Sequence, residues 1–90
     1  MGVIRRRVVI HGFVQGVFFR GTVRRRAVAA GVSGWVRNNP DGTVEAVFEG
    51  GSSEVERLVA FCRDGPSGAR VDEVAVTAED PEALRGFETC

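Results

Sequence analysis

The stretch "VSGWVRNNPDGTVEAVFEG", residues 32–50, is two β-type runs wrapped around Asn39-Pro40-Asp41-Gly42. Proline fixes φ for a turn and glycine accepts a positive φ, so the stretch reads as a hairpin. Working outward, each arm meets a helical pattern. On the N-terminal side "GTVRRRAVAA", residues 21–30, places Phe19, Val23, Ala27 and Ala30 at helical spacing, with Arg24 and Arg25 on the far side and Gly31 as the stop. On the C-terminal side Val55, Leu58, Val59 and Cys62 recur at i, i+3, i+4 and i+7, and Ser53 with Glu56 fits a capping box. Cys62 falls on the apolar stripe and reads as a core residue.

Beyond the helices lie two further strands. Residues 3–11 mix valine, isoleucine and arginine in near alternation, with Val8 and Ile10 on one face. After the break "DGPSG", the string "ARVDEVAVTAED" carries Val71, Val74 and Val76 at spacings of three and then two, which calls for a bulge if all three share a face. A terminal "GFETC" offers an optional short fifth strand. The order is β-α-β-β-α-β, and the expected class is α+β: a ferredoxin-like split βαβ sandwich with two helices on one face of an antiparallel sheet. That architecture hosts many activities and names none.

Composition narrows the field. Ninety residues make one domain, expected to span 1–90, with 43% hydrophobic and 27% charged residues. No stretch has the apolar length of a membrane span, and the run Val3 to Ile10 is broken by Arg5-Arg6-Arg7, so it offers no signal-peptide core. Two cysteines, Cys62 and Cys90, far apart and in no metal or redox spacing, argue for a reduced compartment. A cytoplasmic protein is expected, with no metal and no cofactor, since one histidine and two scattered cysteines leave little to ligate one.

The net charge of zero hides an asymmetry. Residues 1–45 carry eight arginines against Asp41 and Glu45, whereas residues 46–90 carry four arginines against ten acids. Lysine is absent. The triplets Arg5 to Arg7 and Arg24 to Arg26 could form a nucleic-acid patch, but a strand and a helix face point them to solvent, and that reading is preferred. Trp35 and Phe48 read as core side chains.

The chemistry concentrates in "GFVQGVFFRG", residues 12–21, the connection between the first strand and the first helix. About eight residues there have backbone N–H groups with no ladder or helix partner. Glycines at 12 and 16 let the chain curl those donors around a concavity beside a helix N-terminus, a natural anion nest. Arg20 adds a planar fork suited to two phosphate oxygens. A cation at a helix N-terminus is unfavourable by roughly a few tenths to one kcal/mol unless an anion joins it. The spacing is neither that of a nucleotide P-loop nor G-x-G-x-x-G. Pattern alone leaves two readings open: an anion site, or a tight connection anchored by Phe18 and Phe19.

Gly12-Phe13-Val14-Gln15-Gly16-Val17-Phe18-Phe19-Arg20 resembles the first signature of the acylphosphatases, G-x-V-Q-G-V-x-F-R, and Gly34-Trp35-Val36-Arg37-Asn38-Asn39-Pro40-Asp41-Gly42-Thr43-Val44-Glu45 resembles their second, G-W-V-x-N-x-x-D-G-x-V-E. The similarity covers most of the chain and itself implies the ferredoxin-like fold. It departs at the end, where "GFETC" lacks the aliphatic and aromatic close of relatives, which bears on how the last strand pairs. The resemblance implies hydrolysis of small acyl phosphates to a carboxylate and inorganic phosphate. It also implies roles: Arg20 and the backbone N–H groups of Gln15, Gly16, Val17, Phe18, Phe19 and Arg20 bind the phosphoryl group, and Asn38 holds the attacking water. Phosphate or sulfate is the expected product-like ligand, and a monomer acting without nucleic acid or membrane is expected.

Asn38 has a competing role as a turn residue, which Asn39 could fill instead. His11 reads as a strand-end side chain without a catalytic part. Two other functions are set against the enzyme. One is a ferredoxin-like RNA-binding module, prompted by the basic half and by Phe13 but lacking the aromatic signature of an RRM. The other is an anion-binding regulatory module without turnover.

Overall fold

The computed structural model describes residues 2–90. Its elements are β1 (Val3–Phe13), α1 (Phe19–Ala30), β2 (Ser33–Asn38), β3 (Val44–Gly51), α2 (Ser52–Asp64), β4 (Arg70–Glu79) and β5 (Phe87–Thr89). The sheet order is β4-β1-β3-β2-β5. Each helix carries the chain between parallel strands with one strand left between them, which is the split βαβ plan. The first four strands pair antiparallel as expected, while β5 joins β2 in parallel, from Gly34 opposite Phe87 to Val36 opposite Thr89. The sheet is therefore mixed. "GFETC" forms its strand by burying Phe87, whose ring lies 5.8 Å from that of Phe48.

Period-two alternation divides the sheet into two unlike faces. Val8, Ile10, Val36, Val44, Ala46 and Phe48 point to the helices and are fully buried, meeting Phe19, Val23 and Ala27 of α1 and Val55, Leu58, Val59 and Cys62 of α2. Ala30 does not join them: it ends exposed in the last turn of α1. Burial pushes the Cys62 thiol up to about 12, so it behaves as an apolar core group.

The expected bulge in β4 is present. Gly12 opposes Val71 while His11 opposes Glu73, so Asp72 is the extra residue and Val71, Val74 and Val76 all face the helix side. Gly12 is needed there, because at its φ of 136° a Cβ would run into the carbonyl oxygen of Arg70. The capping box at Ser53 and Glu56 does not form. Strand β3 runs directly into α2, Gly51 occupies the N-cap, and no side chain caps the helix, so Ser53 is already inside the first turn. Glu56 points instead toward Arg6, at 3.8 Å.

The face away from the helices overturns two further expectations. Arg5 is not solvent-facing. It is 4% exposed and is bracketed by Glu49 at 3.4 Å and Glu79 at 2.8 Å, and Arg7 is paired with Glu45 and, at 2.6 Å, with Glu79. Glu49 also accepts the backbone N–H groups of Glu82 and Leu84, so residues 80–86 lie across this face and shut water out. Trp35 belongs to this face and not to the core between sheet and helices, with Arg7 and Arg37 over its ring at 5.4 and 4.9 Å. Arg24 to Arg26 are exposed as expected, Arg26 stacking over Phe61 at 4.1 Å.

Candidate active site

The loop between β1 and α1 reverses backbone handedness twice within three residues. Gly16 has φ 76°, and Phe18, at the N-cap of α1, has φ 58° and ψ 27°. A left-handed conformation is uncommon for a bulky residue, and Phe18 is also 87% exposed, so the conformation is not explained by packing of its ring. Its effect is on the backbone. Alternation of left- and right-handed residues turns successive N–H groups inward, and no side chain caps the helix that follows. Among the described residues, no hydrogen bond takes up a backbone N–H of residues 15 to 20. No acidic residue stands in the first turn of α1. Phe19 and Val14 are buried beneath the loop and Val17 packs partly against the core, so the curl is anchored from below.

Arg20 stands at the mouth of this curl. It pairs with no acidic side chain among the described residues, and its Nη1 donates to the main-chain oxygen of Cys90 at 3.0 Å. Asn38 is the last residue of β2, and strand alternation aims it at the same side as Val36, beneath the helix layer. Gly16, Phe18, Phe19, Arg20 and Asn38 line one cleft of about 260 Å³, closed on a further side by Thr89. Residues from the two ends of a 19-residue span thus meet across the open end of the sheet. Gln15 and Val17 do not line it.

The hairpin explains why Asn38 is available. Asn39, not Asn38, does the work of the turn: its N–H donates to Thr43 O at 2.8 Å and its carbonyl accepts from Gly42 at 3.1 Å. Its Nδ2 donates to Thr43 Oγ1 at 3.0 Å and to Glu45 Oε1 at 3.1 Å, while Arg37 Nε donates to its Oδ1 at 3.1 Å. Burial alone would raise the Glu45 carboxyl, but Asn39, Arg7 and Arg37 outweigh it and hold Glu45 below the usual carboxylate range. Thr43 donates its hydroxyl and its N–H to Asp41, which lowers that carboxyl as well.

Two participants were beyond the sequence reading. The Gln15 side chain faces the hairpin and not the cleft, with Nε2 donating to Asn39 O at 2.8 Å and to Thr43 O at 2.9 Å. The chain end supplies Thr89 to the cleft wall and the Cys90 oxygen to Arg20. A glutamine amid glycines was the only local signal for the first, and the second carried none. His11 is exposed and outside the cleft lining. No group of three His, Cys, Asp or Glu side chains converges among the described residues, and no helix there is long and apolar enough to cross a membrane.

Known proteins resemble the chain in sequence and in fold. The acylphosphatase family model matches residues 6–89. An acylphosphatase of Haloarcula marismortui is 54% identical over 84 residues, 93% of this chain and 92% of the relative. Among solved structures, an acylphosphatase from Coxiella burnetii superposes with a TM-score of 0.93 at 33% identity, covering 98% of this chain and 93% of that one. An acylphosphatase from Bacillus subtilis gives 0.92 at 31% identity, over 97% and 98%.

Proposed function

The chain belongs to the acylphosphatase family, a family of hydrolases acting on acyl phosphates, and we propose that Arg20 and Asn38 carry its reaction from opposite walls of the cleft. The free backbone N–H groups of Gly16, Phe18, Phe19 and Arg20 and the Arg20 guanidinium bind the phosphoryl oxygens of a small acyl phosphate. Asn38, neutral at all working pH, offers a carbonyl acceptor and an amide donor that hold a water in line with the phosphorus. The single observation that carries this reading is the convergence of an arginine that no acidic side chain pairs and an amide freed from turn duty in one cleft.

The chemistry demands little more. Attack of water on phosphorus breaks the bond between phosphorus and the acyl oxygen, releasing a carboxylate and inorganic phosphate. The leaving group's conjugate acid has a pKa of about 4, so it departs without a general acid. Phosphoryl transfer through a loose transition state asks for positioning and for charge stabilisation on the equatorial oxygens, which a nest and one guanidinium supply. The residues present therefore suit a metal-independent reaction. Arg5 and Arg7 are occupied by Glu45, Glu49 and Glu79, which takes both out of any nucleic-acid surface and favours this reading over an RNA-binding one. We place the enzyme in the cytoplasm, on the strength of its free cysteines, one of them buried.

The test is hydrolysis of benzoyl phosphate with EDTA present. Wild type turns over, and Arg20→Ala and Asn38→Ala each lose about a hundredfold or more, the loss typical of an oriented transition-state group. Undiminished turnover in both variants would remove the assignment.

A further inference from the structure

The phosphate loop and the Asn38 strand are distant in sequence, and a reaction divided between them depends on the gap being constant. One side chain spans from the loop to the turn beside Asn38. Gln15 Nε2 directs both its hydrogens at the hairpin, to Asn39 O and Thr43 O. Those two carbonyls are also the ones that close the hairpin, accepting from Gly42 and Asn39 respectively. Gln15 thus recognises the closed turn at the point where β2 ends, one residue after Asn38. Its own backbone lies one residue before Gly16, where the loop begins its curl. On the far side, the Asn39 side chain is locked to Glu45, which Arg7 and Arg37 hold. The turn that Gln15 grips is therefore itself fixed to the ion-paired face of the sheet.

We propose that the Gln15 side chain is a positioning residue for hydrolysis: by clamping the loop to the turn, it sets the distance between the phosphoryl group in the nest and the water on Asn38. The proposal rests on the assignment of Arg20 and Asn38 made above. It differs from a merely structural role for Gln15 in what it leaves untouched. Phosphate binding needs only the loop and Arg20, so it survives loss of the clamp, whereas in-line attack does not.

Gln15→Met keeps the side-chain volume and removes both donors. Each carbonyl retains its hairpin partner, so no buried acceptor is orphaned and the variant is expected to fold with a small loss of melting temperature. Steady-state hydrolysis of benzoyl phosphate is measured for wild type, Gln15→Met, Asn38→Ala and the double variant, together with product inhibition by inorganic phosphate. A displacement on the order of an ångström costs up to about a hundredfold, so Gln15→Met is expected to lower kcat about 10- to 100-fold. Inhibition by phosphate should change by no more than about threefold, and in the Asn38→Ala background Gln15→Met should cost no more than about threefold in kcat, because both act through the same water.

Multiplicative losses in the double variant, or a loss of phosphate inhibition matching the loss of kcat, would overturn the positioning role while leaving the site in place. Wild-type turnover by Asn38→Ala would instead overturn the site assignment itself. If Gln15→Met fails to fold, Gln15→Asn, with the same amide one methylene short of spanning both carbonyls, is carried through the same measurements with the same expectations.

Discussion

Arg5 and Arg20 are the same residue type in two opposite conditions. Arg5 lies on the face away from the helices, buried, with Glu49 and Glu79 against its guanidinium. Arg20 lies at the end of the sheet with only a backbone oxygen to receive its hydrogen bond, beside a loop whose N–H groups are unclaimed. A charge whose partners are all internal can only hold the fold together. A charge that no acidic side chain pairs, placed where the helix dipole already disfavours it, is arranged for an anion that arrives from outside. The contrast also separates stability from turnover, so each region can be broken without the other.

The largest expected effect falls on the saturated face. Arg5→Met leaves Glu49 buried without its cation, and removing one partner of a buried pair typically costs about 3 to 5 kcal/mol. Urea unfolding should show that loss, and the protein that remains folded should hydrolyse benzoyl phosphate at close to the wild-type rate.

Acid should reach the same region next. Burial would raise Glu49, but the N–H groups of Glu82 and Leu84 and the Arg5 guanidinium prevail and hold it low, as Asn39, Arg7 and Arg37 do for Glu45. Hydrogen bonds from Arg7 and then Arg5 lower Glu79. Folded values below the unfolded ones mean that the contribution is fully present above the unfolded carboxylate pKa of about 4.3 and disappears as pH falls through the depressed folded values. Thermal melting as a function of pH should therefore be flat in the neutral range and fall steeply below about pH 4. A melting temperature that begins to fall near neutrality would contradict the assignment.

The smallest effect sharpens the other half of the comparison. Inorganic phosphate that binds only the folded protein adds about 1.4 kcal/mol at ten times its dissociation constant. That increment should appear in wild type and in Arg5→Met and vanish in Arg20→Ala.

Much of this was legible in the sequence, and most of the exceptions share a cause. The hairpin at Asn39-Pro40-Asp41-Gly42, the apolar stripe through Val55 and Cys62, and the bulge implied by Val71 and Val74 follow from local periodicity and turn chemistry, which a window of sequence contains. Arg20 and Asn38 were reached from a glycine-rich loop and from two signatures. Most of what failed depended on a partner distant in the chain. The carboxylates that bury Arg5 are 44 and 74 residues away, so the run Arg5 to Arg7 reads as solvent-facing from the sequence. Trp35 was assigned to the core because its two arginine neighbours come from β1 and from its own strand, on the face that alternation alone does not name. The capping box failed because β3 runs into α2 without a loop to hold Ser53 outside the helix. The Gln15 clamp and the closure by Thr89 are likewise contacts across more than twenty residues.

The central claim, that the unpaired arginine and not the paired ones serves the reaction, is tested most directly by the turnover number of Arg20→Ala on benzoyl phosphate, with its melting temperature measured on the same sample. A loss of about a hundredfold or more is expected, with the melting temperature held. Wild-type turnover in a folded Arg20→Ala protein would contradict it.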